Sequence, residues 1–241
     1  MNKLLGSAHL DANIRLRHPL LSYYLIWAGF GAAVALVVAL GFWHYSRNQT
    51  RLTDLPGVQT VAHPEPAPAF TLLDQHLKPF TQTQLLGKWT IMFFGYTHCP
   101  DFCPTTLAAL NNVYHRFERD APAVAKNTQV VFVSVDPFRD TPQVLAEYVD
   151  HFNSDFIGVT GKPSQLHRLT DPLGASYDYV NPVTNEPLGD TQERPKHEYS
   201  VDHSSGLYIF NDRAGIVAWV LPPHTADRIA SVFKQIRNRY E

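Results

Sequence analysis

From residue 67 onward, two kinds of apolar pattern alternate along the chain. Trp89–Tyr96 (WTIMFFGY) and Thr128–Val135 (TQVVFVSV) are nearly unbroken apolar runs, as in strands buried on both faces. Between them, Leu107, Leu110, Val113, Tyr114 and Phe117 recur at three- and four-residue spacing within Pro104–Asp120. That spacing predicts a helix with one buried stripe. A second helix is predicted over Thr141–Phe152, with Pro142 in its first turn. A short strand over Phe156–Gly161 and a helix near Pro163–Leu173 follow. Asn181–Lys196 is rich in Pro, Asn, Asp and Glu and reads as a loop. Gly206–Phe210 and Gly215–Leu221 flank Asn-Asp-Arg-Ala, an expected hairpin. A last helix is predicted from about Thr225 to Arg239. Helices and strands in this order predict an α/β domain, a mixed sheet with helices on both faces.

Ahead of residue 67 the chain is built differently. Residues 1–19 form a short polar tail. Leu20–Trp43 is 24 residues without a charge, and about 20 apolar residues span a bilayer as a helix. Tyr23, Tyr24 and Trp27 near one end, with Trp43 and Tyr45 at the other, match interfacial aromatic belts. A cleaved signal peptide is the rival reading. Its A-x-A candidate, Ala33-Val-Ala35, lies inside the apolar run, where a cleavage site should not fall. The segment therefore reads as an uncleaved transmembrane anchor over 20–43. Lys3, Arg15 and Arg17 precede it, and Arg47 and Arg51 follow. That balance biases the N-terminus inside, with the remainder in a periplasm or the equivalent intermembrane space. Residues 44–66, with prolines at alternate positions in His63–Phe70 (HPEPAPAF), read as an extended spacer. The folded domain is then 67–241.

Composition narrows the chemistry. A formal charge of -2 gives no basic footprint for nucleic acid. The chain has 2 cysteines, both in Gly95–Leu107 (GYTHCPDFCPTTL). Closing so short a loop with a disulfide removes little unfolded-chain entropy, so Cys99 and Cys103 read as a reactive dithiol or a metal site. With Pro104 at the first helical position, Cys103 is expected to cap the helix and Cys99 to lie in the turn before it. Both sulfurs then sit at the positive end of the helix dipole, which favours thiolate. Thioredoxin-type redox motifs place two residues between their cysteines. Here there are three, which leaves room for both sulfurs on one ion, while a disulfide between them stays open.

Twelve histidines could complete a metal site. His98 adjoins Cys99 but is expected to point away from it. His63, His76, His115, His151, His167 and His224 read as solvated or structural. His203, in Glu198–Phe210 (EYSVDHSSGLYIF), lies just before the hairpin strand. The element order is that of thioredoxin-like folds, with the cysteines after the first central strand. In that arrangement the His203 loop abuts the helix start, and His203 becomes the leading third ligand. Two thiolates and an imidazole suit Cu(I), or Cu(II) with a further donor. A closed structural zinc site wants four protein ligands. Asp136, in Ser134–Pro137 (SVDP), reads as a strand-end turn residue or as a carboxylate that orients a ligand; Asp101 and Asp202 share that ambiguity. Arg139 and Asp140 read as turn and cap of the following helix.

Three segments together, GYTHCPDFCPTTL (95–107), VSVDPFRDTP (133–142) and YSVDHSSGLYIFNDRAG (199–215), resemble the Sco/SenC copper-chaperone family. The resemblance covers roughly 67–241 together with a single N-terminal anchor. It implies a thioredoxin-like fold, copper ligands at Cys99, Cys103 and His203, and a part in assembling the binuclear copper centre of cytochrome c oxidase subunit II. A further protein that delivers copper is an implied partner. One reading is a membrane-anchored carrier without catalysis. The other is a thiol–disulfide oxidoreductase that uses a Cys99–Cys103 redox disulfide to reduce the cysteines of that centre. A peroxidase reading finds no separate peroxidatic and resolving pair.

Overall fold

The computed structural model describes residues 19–47, 55–188 and 199–241. The chain divides into two compact units, residues 1–50 and 51–241. In the first, helix α1 (Pro19–Arg47) contains an apolar stretch, Tyr24–Trp43, long and apolar enough to cross a membrane. Every side chain in that stretch is exposed. The basic residues Lys3, Arg15, Arg17 and Arg51, which carried the orientation, lie outside the described residues.

The second unit is built on an eight-stranded sheet, and its centre follows from the two apolar runs. Strands β4 (Trp89–Gly95) and β5 (Thr128–Ser134) are buried at every position and pair in parallel, Trp89 opposite Thr128 through Gly95 opposite Ser134. Successive side chains alternate between faces. Ile91, Phe93, Val130 and Phe132 enter one core, and Met92, Phe94, Val131 and Val133 enter the other. Helices α2 (Phe102–Asp120), α4 (Pro142–Phe152) and α6 (Ala226–Tyr240) cover the first face. Helix α5 (Pro163–Thr170) and a separate hairpin, β7 (Tyr177–Val180) with β8 (Ser200–His203), cover the second. The short α3 (Pro122–Lys126) leads into β5.

The remaining strands fill out the order β1-β10-β9-β4-β5-β6-β2-β3. Strand β6 (Ile157–Thr160) is parallel to β5, and β2 (Thr71–Asp74) and β3 (Pro79–Thr81) add antiparallel beyond it. On the other side, β9 (Leu207–Phe210) runs antiparallel to β4 and turns into β10 (Gly215–Val220). The expected turn is there. The Asn211 side-chain oxygen accepts from the N–H groups of Arg213 and Gly215, at 3.1 and 2.9 Å. The sheet is thus mixed and covered on both faces, as the apolar pattern predicts.

The boundary at residue 66 needs correction. Part of the expected spacer is strand β1 (Val58–Pro66), antiparallel to β10, with a register shift between Thr60 and Glu65. An edge strand tolerates proline because one row of its N–H groups has no partner. The fixed φ of proline suits an extended spacer and an edge strand alike, so composition alone does not separate them. Helix α6 secures this edge. Arg228 donates to the Pro56 and Leu221 carbonyls, at 2.6 and 2.7 Å, and the Tyr240 hydroxyl donates to the Val61 carbonyl at 2.5 Å. Of the predicted loop 181–196, residues 181–188 form turns. Asn181 caps the N–H groups of Val183 and Thr184, and residues 189–196 lie outside the described residues.

A fragment starting at residue 67 should therefore be less stable than one starting at 51. It loses the buried Val58, worth about 2 kcal/mol, and leaves the β10 edge unpaired. Thermal unfolding should show a midpoint lower by about 4–8 °C. Equal midpoints would mean that β1 contributes nothing to the domain.

Candidate metal centre

The topology gathers the site at one end of the sheet. Strand β4 ends at Gly95, and its parallel neighbour ends level with it at Ser134. The space beyond the carboxyl ends of parallel strands is where such sheets place ligands. Because β9 is antiparallel to β4, with Leu207 opposite Phe93, the segment before Leu207 arrives at this same end. The pairing of His203 with Tyr177 in the β7–β8 hairpin then fixes where that segment stops. Residues about one hundred positions apart are thereby brought together. The ligand atoms of Cys99, Cys103 and His203 all lie within 4.8 Å of one another.

The helix start differs from its expected position. Helix α2 begins at Phe102, with Asp101 at the N-cap, so Cys103 and Pro104 both lie in the first turn. The first N–H groups of a helix have no internal partner, so proline is harmless throughout that turn, and its presence does not mark the first residue. The Asp101 side chain makes no capping bond; it accepts instead from the Thr105 hydroxyl at 3.4 Å. The sulfur of Cys99 takes the capping role and accepts from the Cys103 N–H at 3.4 Å.

The two thiols are unequal. Cys103 is fully buried and Cys99 only partly so. The Cys99 thiol is lowered to about 4, first by hydrogen bonding to Cys103; burial opposes this, and His203 and the N–H groups of Cys103 and Asp101 support it. Cys103 moves the opposite way. It donates its proton to Cys99, and burial and the neighbouring negative sulfur hold that proton on. The metal-free pair is therefore one thiolate and one thiol.

His203 is oriented from behind. Its Nδ1 lies 3.1 Å from the Ser204 carbonyl, which can only accept, so Nδ1 carries a hydrogen and Nε2 faces the sulfurs, 3.6 Å from Cys103 Sγ. With Nδ1 turned to the Ser204 carbonyl, Nε2 is the nitrogen that can meet a metal. Phe93, Tyr96 and Phe102 surround the imidazole, with ring centroids 6.3, 5.9 and 6.4 Å away. Among the described residues, the other histidines stay outside the group. His98 is exposed and bonds the Thr97 hydroxyl at 3.1 Å. His224 is buried between Thr106 and the Val220 carbonyl, and burial lowers its proton affinity, as suits a structural residue.

The acidic residues behave in three ways. Asp136 is fully buried; it accepts from the Tyr199 hydroxyl at 2.7 Å and from Arg139 Nε at 2.5 Å. The Arg139 guanidinium lies 3.8 Å over the Tyr199 ring and 5.6 Å from the Tyr96 ring. Asp136 thus connects to His203 by way of Arg139 and Tyr96. Asp202 is exposed on β8. Asp140, read from sequence as a helix cap, has another task. Thr141 caps α4 by accepting from the Val144 N–H. The buried Asp140 carboxylate accepts from the N–H and hydroxyl of Thr97, at 2.8 and 2.6 Å, and from Ser134 at 2.5 Å. It pins the loop that carries Cys99. Sequence reasoning gave this residue a different task, and it missed Gly95. A Cβ at Gly95 would lie 2.7 Å from both Cys103 Sγ and a Phe132 ring carbon, so the glycine is there for space.

These residues fall within a stretch, 59–238, that matches the SCO1/SenC family model. The chain belongs to the SCO1/SenC family. A protein from Stutzerimonas stutzeri, provisionally named as copper-binding, is 33% identical over 189 residues, covering 78% of this chain and 85% of its own. Among solved structures, Arabidopsis thaliana ScoI with copper bound is 31% identical at a TM-score of 0.61, covering 72% of this chain and 99% of that one. Yeast Sco1 with copper bound is 26% identical at a TM-score of 0.60, covering 74% and 90%. The SCO1/SenC chain described here has the thioredoxin-like fold of these relatives.

Two outcomes follow from the site's construction. Gly95→Ala should destabilise the domain by about 1–3 kcal/mol through overpacking and displace the Cys103 sulfur, read by denaturant unfolding and by Cys103 reactivity. Wild-type values for both would show that the glycine is replaceable. The second outcome concerns pH. The Cys99 thiol is lowered, so its thiolate is present above about pH 4 and lost by protonation below that. Alkylation of Cys99 by iodoacetamide should stay nearly flat from pH 8 down to about pH 5, with Cys103 slow throughout. A Cys99 rate that falls away below pH 8–9, as for an ordinary thiol, would contradict the thiolate assignment.

Proposed function

We propose that this SCO1/SenC protein binds one copper ion through Cys99, Cys103 and His203 and passes it to an acceptor site. The carrying observation is the convergence of two sulfurs and an outward-facing imidazole nitrogen within 4.8 Å. The donor set fits the ion. Two sulfurs and one imidazole are soft to intermediate ligands that suit Cu(I) in a three-coordinate site. Among the described residues the group contains no fourth donor, whereas closed zinc sites use four. A half-buried Cys99 keeps one side open, which an ion that must leave requires. Copper held by two solved relatives supports the same reading.

The acceptor we infer is the binuclear copper centre of cytochrome c oxidase subunit II, which rests on the family resemblance. Helix α1 serves as the membrane anchor, with the N-terminus inside and the copper domain in a periplasm or intermembrane space; the basic residues flanking the span support that orientation. Asp136 acts as the carboxylate that steadies the His203 side of the site, through Arg139 and Tyr96. A second reading has its own support in the unequal thiols. A Cys99 thiolate beside a protonated Cys103 is the arrangement by which one cysteine attacks a disulfide and the other resolves it.

Titration of residues 51–241, fully reduced, with Cu(I) against a competing chelator separates the readings. Wild type should bind one copper per chain. His203→Ala should lose at least the roughly 10–100-fold that even an outer partner of a ligand contributes, while its thiols still reduce a disulfide substrate. Wild-type affinity in His203→Ala would remove His203 from the site. No tight copper in wild type, with reactive thiols, would favour the reductase.

A further inference from the structure

The pairing of β7 with β8 continues one step past Tyr177 and His203. There the register sets Ser176 opposite Ser204. The Ser204 N–H donates to the Ser176 carbonyl at 2.8 Å. In a hydrogen-bonded antiparallel pair of this kind, the two residues normally exchange both N–H···O=C bonds. The return bond is different here. The Ser176 N–H donates to the Ser204 side-chain hydroxyl, at 2.9 Å, in place of the Ser204 carbonyl. A serine hydroxyl can take such a place, because it lies within reach of neighbouring backbone groups and competes with the ladder. The two serine hydroxyls are themselves 3.3 Å apart.

The carbonyl left out of the ladder is the one that turns His203. It lies 3.1 Å from Nδ1, and Nε2 stands 3.6 Å from Cys103 Sγ. A carbonyl committed to the Ser176 N–H would point across to β7, since ladder bonds run perpendicular to the strands. It could not then meet the ring of the preceding residue. The Ser204 hydroxyl has a second tie, to the phenol of Tyr208, which is buried on β9. Ser204 is thus held from the hairpin on one side and from the main sheet on the other, where the chain crosses between them.

We propose that Ser204 is a positioning residue for metal binding: its hydroxyl takes the ladder bond of its own carbonyl and so frees that carbonyl to turn His203 toward the sulfurs. The inference rests on the copper reading of the site. It needs a hydroxyl on residue 204 and an N–H on residue 176. In Ser204→Ala the Ser176 N–H is left with its regular ladder partner, the carbonyl of residue 204. That oxygen swings toward β7, and the imidazole loses the group that sets its rotation. Phe93, Tyr96 and Phe102 still surround the ring. Apolar ring faces limit where the imidazole lies but do not choose which nitrogen meets the sulfurs. Ser204→Thr keeps the hydroxyl and with it the arrangement.

The test uses the full chain in detergent micelles, as wild type, Ser204→Ala and Ser204→Thr, with isotope-labelled histidine rings read by NMR. Metal-free, all three should fold and melt close together. At about pH 8, above the ordinary histidine range, the His203 ring should carry its hydrogen on Nδ1 in wild type and Ser204→Thr. In Ser204→Ala the hydrogen should be shared between the two nitrogens. Cu(I) affinity, by chelator competition, should fall about tenfold in Ser204→Ala, the low end for an outer partner of a metal ligand. It should stay at the wild-type value in Ser204→Thr. The sulfur-to-copper charge-transfer band, with Cu(II) bound, should shift in Ser204→Ala alone. Wild-type copper affinity in Ser204→Ala would overturn the proposal, and so would an Nδ1 hydrogen that does not move. Equal losses in Ser204→Ala and Ser204→Thr would overturn it too, since the hydroxyl would not be the cause. A metal-free Ser204→Ala that fails to fold would make the role structural and overturn it as well. Wild type that takes up no copper would overturn the copper reading and with it the metal role of Ser204, and the metal-free ring measurement separates that failure from a failure of the carbonyl exchange.

Discussion

The sulfur of Cys103 fits against the bare backbone of Gly95 at the end of β4, in a space that one methyl group would close. This contact sets the depth at which the first turn of α2 can sit on the sheet. From there the Cys103 N–H reaches the Cys99 sulfur, and His203 meets Cys103 from the β8 side. The contact also makes the pair unequal. A wholly buried thiol resists ionisation, because charge is costly where water is excluded. The charge falls instead on Cys99, which has the helix N-terminus and the Cys103 proton to stabilise it. A soft cation relieves that tension, since it compensates charge on both sulfurs at once.

The supports divide into those fixed by the sheet and those fixed by side chains. The end of β4 and the register of β7 with β8 are backbone features, held by ladders that run through the core. The loop between Gly95 and Phe102 has no such ladder. Asp140 takes its place, tying Thr97 to the end of β5 and the start of α4. With Ser134 also spent on Asp140, that carboxylate is a brace for the loop rather than a donor to the metal group. The rings around His203 do for the imidazole what Asp140 does for the loop, because a ring packed on three sides has few orientations to lose on ligation.

Sequence patterns revealed the parts whose environment is uniform. β4 and β5 are buried on both faces, so their apolar runs are continuous, and α2 buries one stripe, so its period is plain. Strands β2, β3, β7 and β8 are three or four residues long, too short for alternation to stand out from chance. β1 was hidden by its prolines. The start of α2 was misplaced by two residues because Pro104 is compatible with any position in the first turn. Cys99 and Cys103 announced themselves by spacing, but His203 was one histidine among twelve until neighbouring motifs singled it out. Gly95 and the bracing role of Asp140 gave no local signal. What each does depends on a partner far along the chain, Asp140 on a residue 43 positions away, and spacing within one motif carries no trace of such a contact.

Exposure orders the events at the dithiol under either proposed reading. Cys99 is the sulfur that solvent and a partner reach, while Cys103 lies behind it. An incoming copper ion therefore meets a ready thiolate first and draws in Cys103 second, with loss of the buried proton. An incoming disulfide meets the same thiolate first, and Cys103 is then placed to resolve the mixed disulfide. The two chemistries diverge at His203. Its nitrogen would complete the proposed metal site but has no necessary part in exchange between sulfurs. The structural investment in that one residue, a carbonyl behind Nδ1 and three aromatic rings around the ring plane, is what a metal ligand needs and a simple reductase does not. On that ground the copper reading takes precedence over the redox one.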